Sequence, residues 1–334
     1  MSWNVLLTAG SLRNGAVDEA AKSILNEAGC EVTVALDAGM PDGEELQNVL
    51  SGQDAVLAGV EPYSSSLLSG AAAADLKLIS RWGVGFDAID LKAATDQGII
   101  VANTPNLLND AVADYAFGLL LALARRLHEG HEIMRAGDWR AAWGVDVGGA
   151  TLGIIGFGRI GKAVARRASG FGMKLLACDA FPQPDAEALG VEMVSMGELL
   201  ERSEFVTVHT ALTDETRGLI GEPELKRMRG DAMLINTSRG AVLNEGALLQ
   251  ALNEGWIGGA ALDTYCIEPM ADDHPLRSAP NVLLTPHQAS FGVRTGRRVS
   301  EAAARAIVDA MNGNVPASVV NADVLKSGNR AGVA

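Results

Sequence analysis

Residues 151–162 read Thr-Leu-Gly-Ile-Ile-Gly-Phe-Gly-Arg-Ile-Gly-Lys, and this stretch decides the fold of the chain. The apolar run at 152–155 is typical of a buried parallel strand, and Gly156, Gly158 and Gly161 follow it with Gly-x-Gly-x-x-Gly spacing. Gly156 would make the tight turn, Gly158 would let the backbone approach a pyrophosphate, and Gly161 would let the next helix lie close to the strand. The phosphates would lie at the N-terminus of that helix. The stretch therefore predicts a strand, a turn and a helix that bind a dinucleotide.

Asp179 lies where such a motif needs a ligand for the ribose. It ends the next apolar run, 18 positions after Gly161 (179 − 161). A carboxylate there can accept hydrogen bonds from both ribose hydroxyls of NAD and would repel the additional phosphate of NADP. A glycine triplet alone is weak evidence, because turns produce many accidental matches. Together with the strand, the helix and Asp179, it predicts a site for NAD.

The composition is that of an ordinary globular protein and disfavours several partners. The 334 residues, of which 48% are hydrophobic and 20% charged, suffice for two domains of about 150 residues each. The formal net charge of −14 disfavours nucleic acid, which needs a concentrated basic surface. The first residues lack a signal-peptide pattern, and the apolar run at 119–124 is far shorter than the roughly 20 residues of a membrane span. We therefore expect a cytoplasmic protein with no membrane partner.

Alternating strands and helices predict an α/β fold throughout. The loop at 81–87 places Gly83 and Gly85 after a predicted strand, where open parallel sheets bind ligands, although a plain turn would look the same. Pro105 breaks the first series of strands, so we expect a hinge at 103–106. Short apolar runs typical of parallel strands occur at 5–9, 32–36, 55–59, 76–80 and 99–102, and again at 205–208, 232–236, 259–262 and 282–284.

Residues 111–126 are predicted to form a long helix, capped by Asn109 or Asp110. The segment is apolar nearly all round, so it must be buried on most faces, against its own domain or against a second subunit. Trp139 and Trp143 follow in a loop. Because a large exposed apolar surface is unfavourable on a monomer, we expect a two-fold homodimer.

Three strand ends in the second half of the chain carry residues that packing alone does not explain. Arg239 follows a buried strand, and a guanidinium there can hold a carboxylate with two parallel hydrogen bonds. Glu268 and His287 follow the next two strands. Each could be structural, because an arginine can form a surface ion pair and a lone histidine is more often packed than catalytic. All three leave the same predicted sheet edge, however, so they can converge over a nicotinamide.

A series of motifs follows in order along nearly the whole chain. They are Arg-Trp-Gly-Val-Gly-Phe-Asp-Ala-Ile-Asp at 81–90, Ala-Asn-Thr-Pro at 102–105, Gly-Phe-Gly-Arg-Ile-Gly at 156–161, Asn-Thr-Ser-Arg-Gly at 236–240, Ala-Leu-Asp-Thr-Tyr-Cys-Ile-Glu-Pro at 261–269 and Thr-Pro-His at 285–287. In this order and at these separations they resemble the D-isomer-specific 2-hydroxyacid dehydrogenases. Within that family the chain looks most like the short phosphoglycerate dehydrogenases that lack a regulatory domain.

The resemblance implies two Rossmann-like domains with parallel sheets, and the helix from Ala111 as the dimer helix. Residues 1–103 and 288–334 would form a split substrate domain around an NAD-binding domain at 104–287. No metal is predicted, because the three cysteines are widely spaced and form no Cys-x-x-Cys motif. The predicted catalytic residues are Arg239, Glu268 and His287. The predicted cofactor contacts are Gly156, Gly158, Arg159, Ile160, Gly161, Asp179, Thr210, Thr216, Thr237 and Asp263, and the predicted substrate contacts are Arg81, Val84, Gly85 and Arg239.

Interconversion of a 2-hydroxy acid and its 2-oxo acid suits these residues. Histidine can take the hydroxyl proton during oxidation and return it during reduction. Glu268 would favour the imidazolium and hold the orientation of the ring. Arg239 would hold the substrate carboxylate and polarise the 2-oxygen, and backbone N–H groups near Val84 and Gly85 would hold the carboxylate from the other domain. The substrate would therefore bind in a cleft whose closure excludes water.

The sequence determines the substrate less well than the reaction. We expect a phosphoglycerate dehydrogenase-like enzyme in which Arg81 could bind a distal phosphate. Because residues 59–62 supply no cation, hydroxypyruvate, glyoxylate or phosphonopyruvate reduction is the alternative. The resemblance also disfavours oxidation of formate or phosphite. In the branches of the family that catalyse those reactions, the acid beside the histidine is replaced or a lysine lies in the loop at 81–87, whereas this chain has Glu268 and no lysine in that loop. Outside the enzymes, an inactive dinucleotide-sensing protein is disfavoured by the three catalytic residues, and a structural scaffold by the glycine motif.

Overall fold

The computed structural model describes residues 2–35 and 43–333, and the chain divides into two compact units. Unit 1 consists of Met1–Leu108 and Phe291–Ala334, and unit 2 of Asn109–Ser290. The chain therefore leaves unit 1 and returns to it close to the predicted boundaries at 103/104 and 287/288. The assignment of unit 1 to the substrate stays a prediction.

The strands are short, and most have a buried or half-buried apolar run, whereas most residues of Glu31–Val34 and Val191–Met193 are exposed. The second strand was predicted to extend over residues 32–36, but Leu36 lies outside the described residues. In chain order they are β1 (Asn4–Leu7), β2 (Glu31–Val34), β3 (Ala55–Ala58), β4 (Leu78–Arg81), β5 (Ile100–Ala102), β6 (Thr151–Ile155), β7 (Lys174–Cys178), β8 (Val191–Met193), β9 (Phe205–Val208), β10 (Met233–Asn236), β11 (Gly259–Leu262) and β12 (Val282–Leu284).

The helices alternate with these strands, as parallel connections require. Side chains cap several of them, including Asn14, Ser195 and Asn244, each of which accepts a hydrogen bond from a backbone N–H of the first turn. In chain order the helices are α1 (Gly15–Glu27), α2 (Gly43–Leu50), α3 (Ser65–Leu68), α4 (Leu91–Asp96), α5 (Asn109–Ala124), α6 (Leu127–Arg135), α7 (Arg159–Ser169), α8 (Met196–Arg202), α9 (Glu222–Arg227), α10 (Glu245–Glu254), α11 (Val293–Met311) and α12 (Val324–Ser327).

The sheet of unit 1, within the described residues, has the order β2-β1-β3-β4-β5, and all its pairs are parallel. From β1 the chain passes to β2 on one side of it and then to β3 on the other side. The topological switch therefore lies between β1 and β3. Helices α1 and α11 pack against each other, and α11 also packs on β4. The hydroxyl of Ser80 donates to the carbonyl of Ala303 at 2.8 Å and so joins α11 to the sheet.

The sheet of unit 2 has the order β12-β11-β10-β9-β6-β7-β8 and is also wholly parallel. Its topological switch lies between β6 and β9, directly beyond the glycine motif. One core contains residues of α5 and α7, and the other contains residues of α8, α9 and α10. Both faces of the sheet are therefore covered, which explains why the strands read as continuous apolar runs.

Helix α5 differs from its prediction at both ends. Asn109 and Asp110 lie in its first turn rather than at a cap, and the Asp110 carboxylate accepts a hydrogen bond from Arg167 at 3.2 Å. The helix ends at Ala124 because Arg126 adopts a left-handed conformation with φ of 50°, after which the unpredicted α6 begins. Most of the apolar surface of α5 is buried in unit 2 itself.

The segment after α5 exposes large apolar side chains. Trp139 and Trp143 are 86% and 90% exposed, and Leu127 and Met134 of α6 are 60% and 55% exposed. Within the part of the chain that the structure describes, no helix combines the length and the apolar composition that crossing a membrane requires.

Candidate active site

The glycine motif has the geometry that a pyrophosphate site needs. Gly156 has φ of 87°, and a Cβ there would lie 2.7 Å from the backbone nitrogen of Thr210. A Cβ at Gly161 would lie 2.3 Å from the carbonyl oxygen of Gly156. Helix α7 begins directly after Gly158, which has no side chain to cap it or to cover its first N–H groups. These residues therefore fit the phosphates of a dinucleotide, with Arg159 and Ile160 in the first turn of the helix.

Asp179 follows β7 and lies beside the motif. Its Oδ2 accepts a hydrogen bond from the backbone N–H of Phe157 at 2.7 Å, and its Oδ1 accepts one from Phe181 at 2.8 Å. Burial, followed by the nearby charge of Asp179, raises the pKa of Cys178 to about 11. A half-buried carboxylate thus lies at the position predicted to hold the ribose.

The three threonines predicted to contact the cofactor lie in loops at or near the same sheet edge. Thr210 follows β9, and its backbone lies against Gly156. The hydroxyl of Thr216 donates to the carbonyl of Ala211 at 2.6 Å and so fixes the next loop. Thr237 follows β10, and its buried hydroxyl has no hydrogen-bond partner among the described residues. Their contacts with NAD stay predictions.

Glu268 and His287, which were predicted to be catalytic, are in direct contact. Nδ1 of His287 lies 2.6 Å from Oε2 of Glu268, and the two side chains are 28% and 21% exposed. The other oxygen of Glu268 accepts the backbone N–H of Tyr265 at 2.9 Å. One carboxylate therefore bonds both the imidazole and its own loop, which leaves Nε2 of His287 as the ring nitrogen for a substrate.

Asp263 is fully buried and holds the segment that carries His287. The hydroxyl of Thr285 and the backbone N–H of Gln288 donate to its Oδ1 at 2.6 and 3.0 Å, and the N–H of Ala289 donates to Oδ2 at 2.8 Å. Burial raises the pKa of Asp263, while these hydrogen bonds and the nearby His287 lower it. Its hydrogen bonds within the described residues position the segment that carries His287, and its contact with the nicotinamide stays a prediction.

Arg239 lies in the loop after β10. Its Nη1 donates to the carbonyl of Ser238 at 2.8 Å, and its own carbonyl accepts the Asn236 side chain at 3.0 Å. A Cβ on the next residue, Gly240, would lie 1.9 Å from the carbonyl carbon of Tyr265. The absence of a side chain at Gly240 thus lets the Arg239 loop lie directly against the loop that holds Glu268.

The predicted substrate contacts Arg81, Val84 and Gly85 lie in unit 1. Arg81 ends β4, and its guanidinium donates to the carbonyl of Trp82. The hydroxyl of Thr104 accepts the backbone N–H of Gly83 at 2.9 Å, which fixes the glycine loop. The predicted catalytic residues Arg239, Glu268 and His287 lie in unit 2.

His209, which was not among the predicted site residues, directly follows β9 of the unit 2 sheet. Burial lowers its pKa to about 3, so the ring is neutral. Its Nε2 lies 2.8 Å from the Thr207 hydroxyl, and its buried Nδ1 has no hydrogen-bond partner among the described residues. Its position directly after a buried strand was the available signal. The described residues contain no group of three or more side chains suited to a metal ion.

Known proteins share this architecture. Residues 117–289 match the family model described as the NAD binding domain of D-isomer specific 2-hydroxyacid dehydrogenase. A glyoxylate reductase of Korarchaeum cryptofilum is 48% identical over 262 residues, which are 76% of this chain and 79% of that protein. A glyoxylate reductase of Thermofilum pendens is 41% identical over 320 residues, which are 93% of this chain and 94% of that protein. The apo-structure of D-lactate dehydrogenase from Escherichia coli matches with a TM-score of 0.82 and 28% identity, over 95% of this chain and 99% of that one.

These similarities confirm two predictions. The α/β fold with two parallel sheets is that of the matching structures. The cofactor is NAD, because the family model that covers the glycine motif is an NAD binding domain.

The preference for NAD over NADP is predicted to depend on Asp179. Asp179→Ala removes the carboxylate that would face the 2′-phosphate of NADP, so the ratio of kcat/KM with NADH to that with NADPH should fall about tenfold or more. The matched control is Asp185→Asn, which removes an exposed carboxylate that pairs with Lys162 at 2.7 Å. Wild-type kcat/KM with NADPH equal to or above that with NADH would refute the assignment of Asp179.

Proposed function

Because the chain belongs to the family of D-isomer specific 2-hydroxyacid dehydrogenases, we propose that it reduces glyoxylate and related small 2-oxo acids with NADH. The chain is an NAD-dependent oxidoreductase that acts on the CH–OH group of a 2-hydroxy acid. The proposal of glyoxylate rests on similarity to glyoxylate reductases along almost the whole chain. The phosphoglycerate dehydrogenase-like substrate that the sequence favoured has no such support, so the alternative takes its place.

His287 would supply the proton of the reaction. Bound NADH supplies hydride to the carbonyl carbon of glyoxylate, and the product is glycolate. The imidazolium of His287 would donate the Nε2 proton to the 2-oxygen as that oxygen gains negative charge. Glu268, 2.6 Å from Nδ1, would stabilise the imidazolium before the transfer and hold the ring in place.

Arg239 would hold the carboxylate of the substrate. A guanidinium presents parallel N–H donors that match the two oxygens of a carboxylate, and a lysine cannot reproduce this grip. The short loop after β10 restricts where the guanidinium can reach, because Gly240 packs against Tyr265. The same arginine would polarise the 2-oxygen. Arg81 and the backbone N–H groups of Val84 and Gly85 are proposed as further substrate contacts.

A homodimer is proposed as the functional assembly. The exposed apolar side chains of residues 127–143 are concentrated in one segment of unit 2, with two tryptophans at 86% and 90% exposure. Aromatic side chains are enriched in the cores of subunit interfaces. We propose that a second copy of this chain covers the segment, because in a two-fold interface the same segment of each subunit contacts the other subunit.

Glyoxylate should be the preferred substrate in a panel of 2-oxo acids. We expect the highest kcat/KM with glyoxylate when NADH oxidation is followed with glyoxylate, hydroxypyruvate, pyruvate, phosphohydroxypyruvate and phosphonopyruvate. A highest value with phosphohydroxypyruvate would instead support the phosphoglycerate dehydrogenase-like alternative, and one with phosphonopyruvate would support a phosphonate reductase. No turnover of any member would contradict the proposed activity as a whole.

His287→Ala should lower kcat for glyoxylate reduction by about 10²–10⁴-fold, the usual contribution of a positioned acid or base. The dissociation constant for NADH, measured by fluorescence titration, should stay near that of the wild type. Lys92→Ala, which changes an 84% exposed side chain of α4 outside the predicted site and the proposed interface, is the control. A kcat for His287→Ala within threefold of wild type would assign the proton transfer to another group.

The sedimentation coefficient should correspond to a dimer at micromolar concentration. Replacing Trp139 and Trp143 together by serine should move the protein toward the monomer, because it removes the two most exposed aromatic side chains of the segment. Phe181→Ser, which removes a 75% exposed aromatic side chain elsewhere in unit 2, should leave the dimer intact. A monomeric wild-type protein would contradict the proposal.

A further inference from the structure

Tyr265 contacts the segments of all three predicted catalytic residues, and the proposed reaction gives it no role. It lies three residues after the end of β11 and is half-buried. Its backbone N–H donates to Oε1 of Glu268 at 2.9 Å, and its carbonyl carbon lies against Gly240, next to Arg239. Both contacts use only the backbone, so another residue at this position could make them. The side chain of Tyr265 therefore needs a separate explanation.

The hydroxyl of Tyr265 connects the ends of β11 and β12. It donates to the carbonyl of Thr285 at 2.9 Å and to that of Leu262 at 3.1 Å. Burial, aided by the charges of Asp263 and Glu268, raises the pKa of Tyr265 to about 12. The hydroxyl consequently keeps its proton near neutral pH and stays a hydrogen-bond donor.

The carbonyl of Thr285 joins this hydroxyl to His287. The same oxygen accepts the backbone N–H of His287 at 3.1 Å. A carbonyl oxygen has two lone pairs and can therefore accept from both donors. The hydroxyl of Tyr265 is thus separated from the backbone of the predicted proton donor by one carbonyl group.

Glu268 and His287 are consequently connected by two routes. The direct route is the 2.6 Å contact between Oε2 and Nδ1. The indirect route runs from Oε1 of Glu268 through the N–H and the hydroxyl of Tyr265 to the carbonyl of Thr285 and the N–H of His287. All four residues lie in unit 2. A catalytic side chain keeps its geometry when supporting hydrogen bonds restrict its movement, and the indirect route supplies such a restriction.

We propose that Tyr265 is a positioning residue whose hydroxyl keeps the imidazole of His287 aligned with the carboxylate of Glu268. The inference rests on the proposed function, in which His287 donates the proton to the 2-oxygen. The hydroxyl acts through the carbonyl of Thr285 and touches no reacting atom. Its effect on the rate can still be large, because a misplacement of about 1 Å can slow a reaction by about 10²-fold.

A purely structural role for the hydroxyl would have a different signature. If it only joined the ends of β11 and β12, its loss would lower the midpoint of thermal unfolding and leave the kinetic constants of the folded enzyme unchanged. A general loosening of the loops would change KM together with kcat, because Arg239 lies beside Tyr265. A positioning role changes kcat alone, and only while the imidazole of His287 is present.

The kinetic test is Tyr265→Phe, which removes the hydroxyl and keeps the aromatic ring and both backbone contacts. We expect kcat for glyoxylate reduction to fall about tenfold, while KM for glyoxylate and the dissociation constant for NADH stay within about twofold of wild type. In the His287→Ala background the same change should alter the residual kcat by less than about twofold, because no imidazole remains to be misplaced. Thr95→Val is the matched control, since it removes a half-buried hydroxyl that donates to the carbonyl of Leu91 at 2.8 Å in unit 1.

A spectroscopic test does not need turnover. A proton on Nδ1 of His287, in a 2.6 Å contact with a carboxylate, should resonate downfield of the amide protons in the proton NMR spectrum. Loss of this resonance in His287→Ala assigns it. Tyr265→Phe should shift the resonance upfield, because the contact with Glu268 lengthens, and Thr95→Val should leave it in place.

The outcomes separate this inference from the proposed function. If the wild type reduces none of the 2-oxo acids, the proposed function fails and the NMR resonance alone decides the inference. The inference is overturned by an unchanged resonance in Tyr265→Phe or by a kcat within about twofold of wild type. An equal fall of kcat with and without His287 would overturn it as well, and so would failure of Tyr265→Phe to fold, since the hydroxyl would then be required for the fold.

Discussion

The buried carboxylate of Asp263 is the interaction on which the proposed catalytic geometry depends. It binds Thr285 on one side of His287 and the backbone of Gln288 and Ala289 on the other, so the segment is fixed at both ends. Between these points His287 adopts φ of 49°, a left-handed conformation that a residue other than glycine holds only when its surroundings impose it. The position of the imidazole is thus set by the backbone, before Glu268 orients the ring.

The loops that carry the other two site residues are fixed in a similar way, by close backbone contact. Gly240 leaves room for Tyr265, so the Arg239 loop lies on the loop of Glu268. The backbone N–H of Tyr265 in turn holds the Glu268 carboxylate at 2.9 Å. Site residues on rigid, mutually packed loops lose little conformational freedom when a substrate binds, which is what a preorganised site requires.

Sequence alone could predict that Arg239, Glu268 and His287 leave one edge of one sheet, because parallel strands bring their carboxyl ends to the same edge. The 2.6 Å contact between Glu268 and His287 agrees with that expectation, while their roles in catalysis stay predictions. The sequence could not predict that α5 ends at Ala124. The helical pattern of apolar residues continues past Arg126, whose backbone adopts the left-handed conformation. The sequence also could not predict the hydrogen-bond partners of Asp263. They depend on the strand register that pairs Leu262 with Leu284 and so places Asp263 beside Thr285.

The two sheets have the same kind of topological switch but different residues beyond it. At the switch of unit 2, glycines expose the N-terminal N–H groups of α7, a surface that suits the negative pyrophosphate of NAD. At the switch of unit 1, the equivalent place holds the buried carboxylate of Glu61, whose Oε1 accepts the backbone N–H of Gly59 at 2.9 Å. The parallel sheet therefore determines where residues of each unit converge, while the chemistry of the few residues beyond the strand ends determines what they could bind. Similarity of fold between the two halves consequently implies no similarity of ligand.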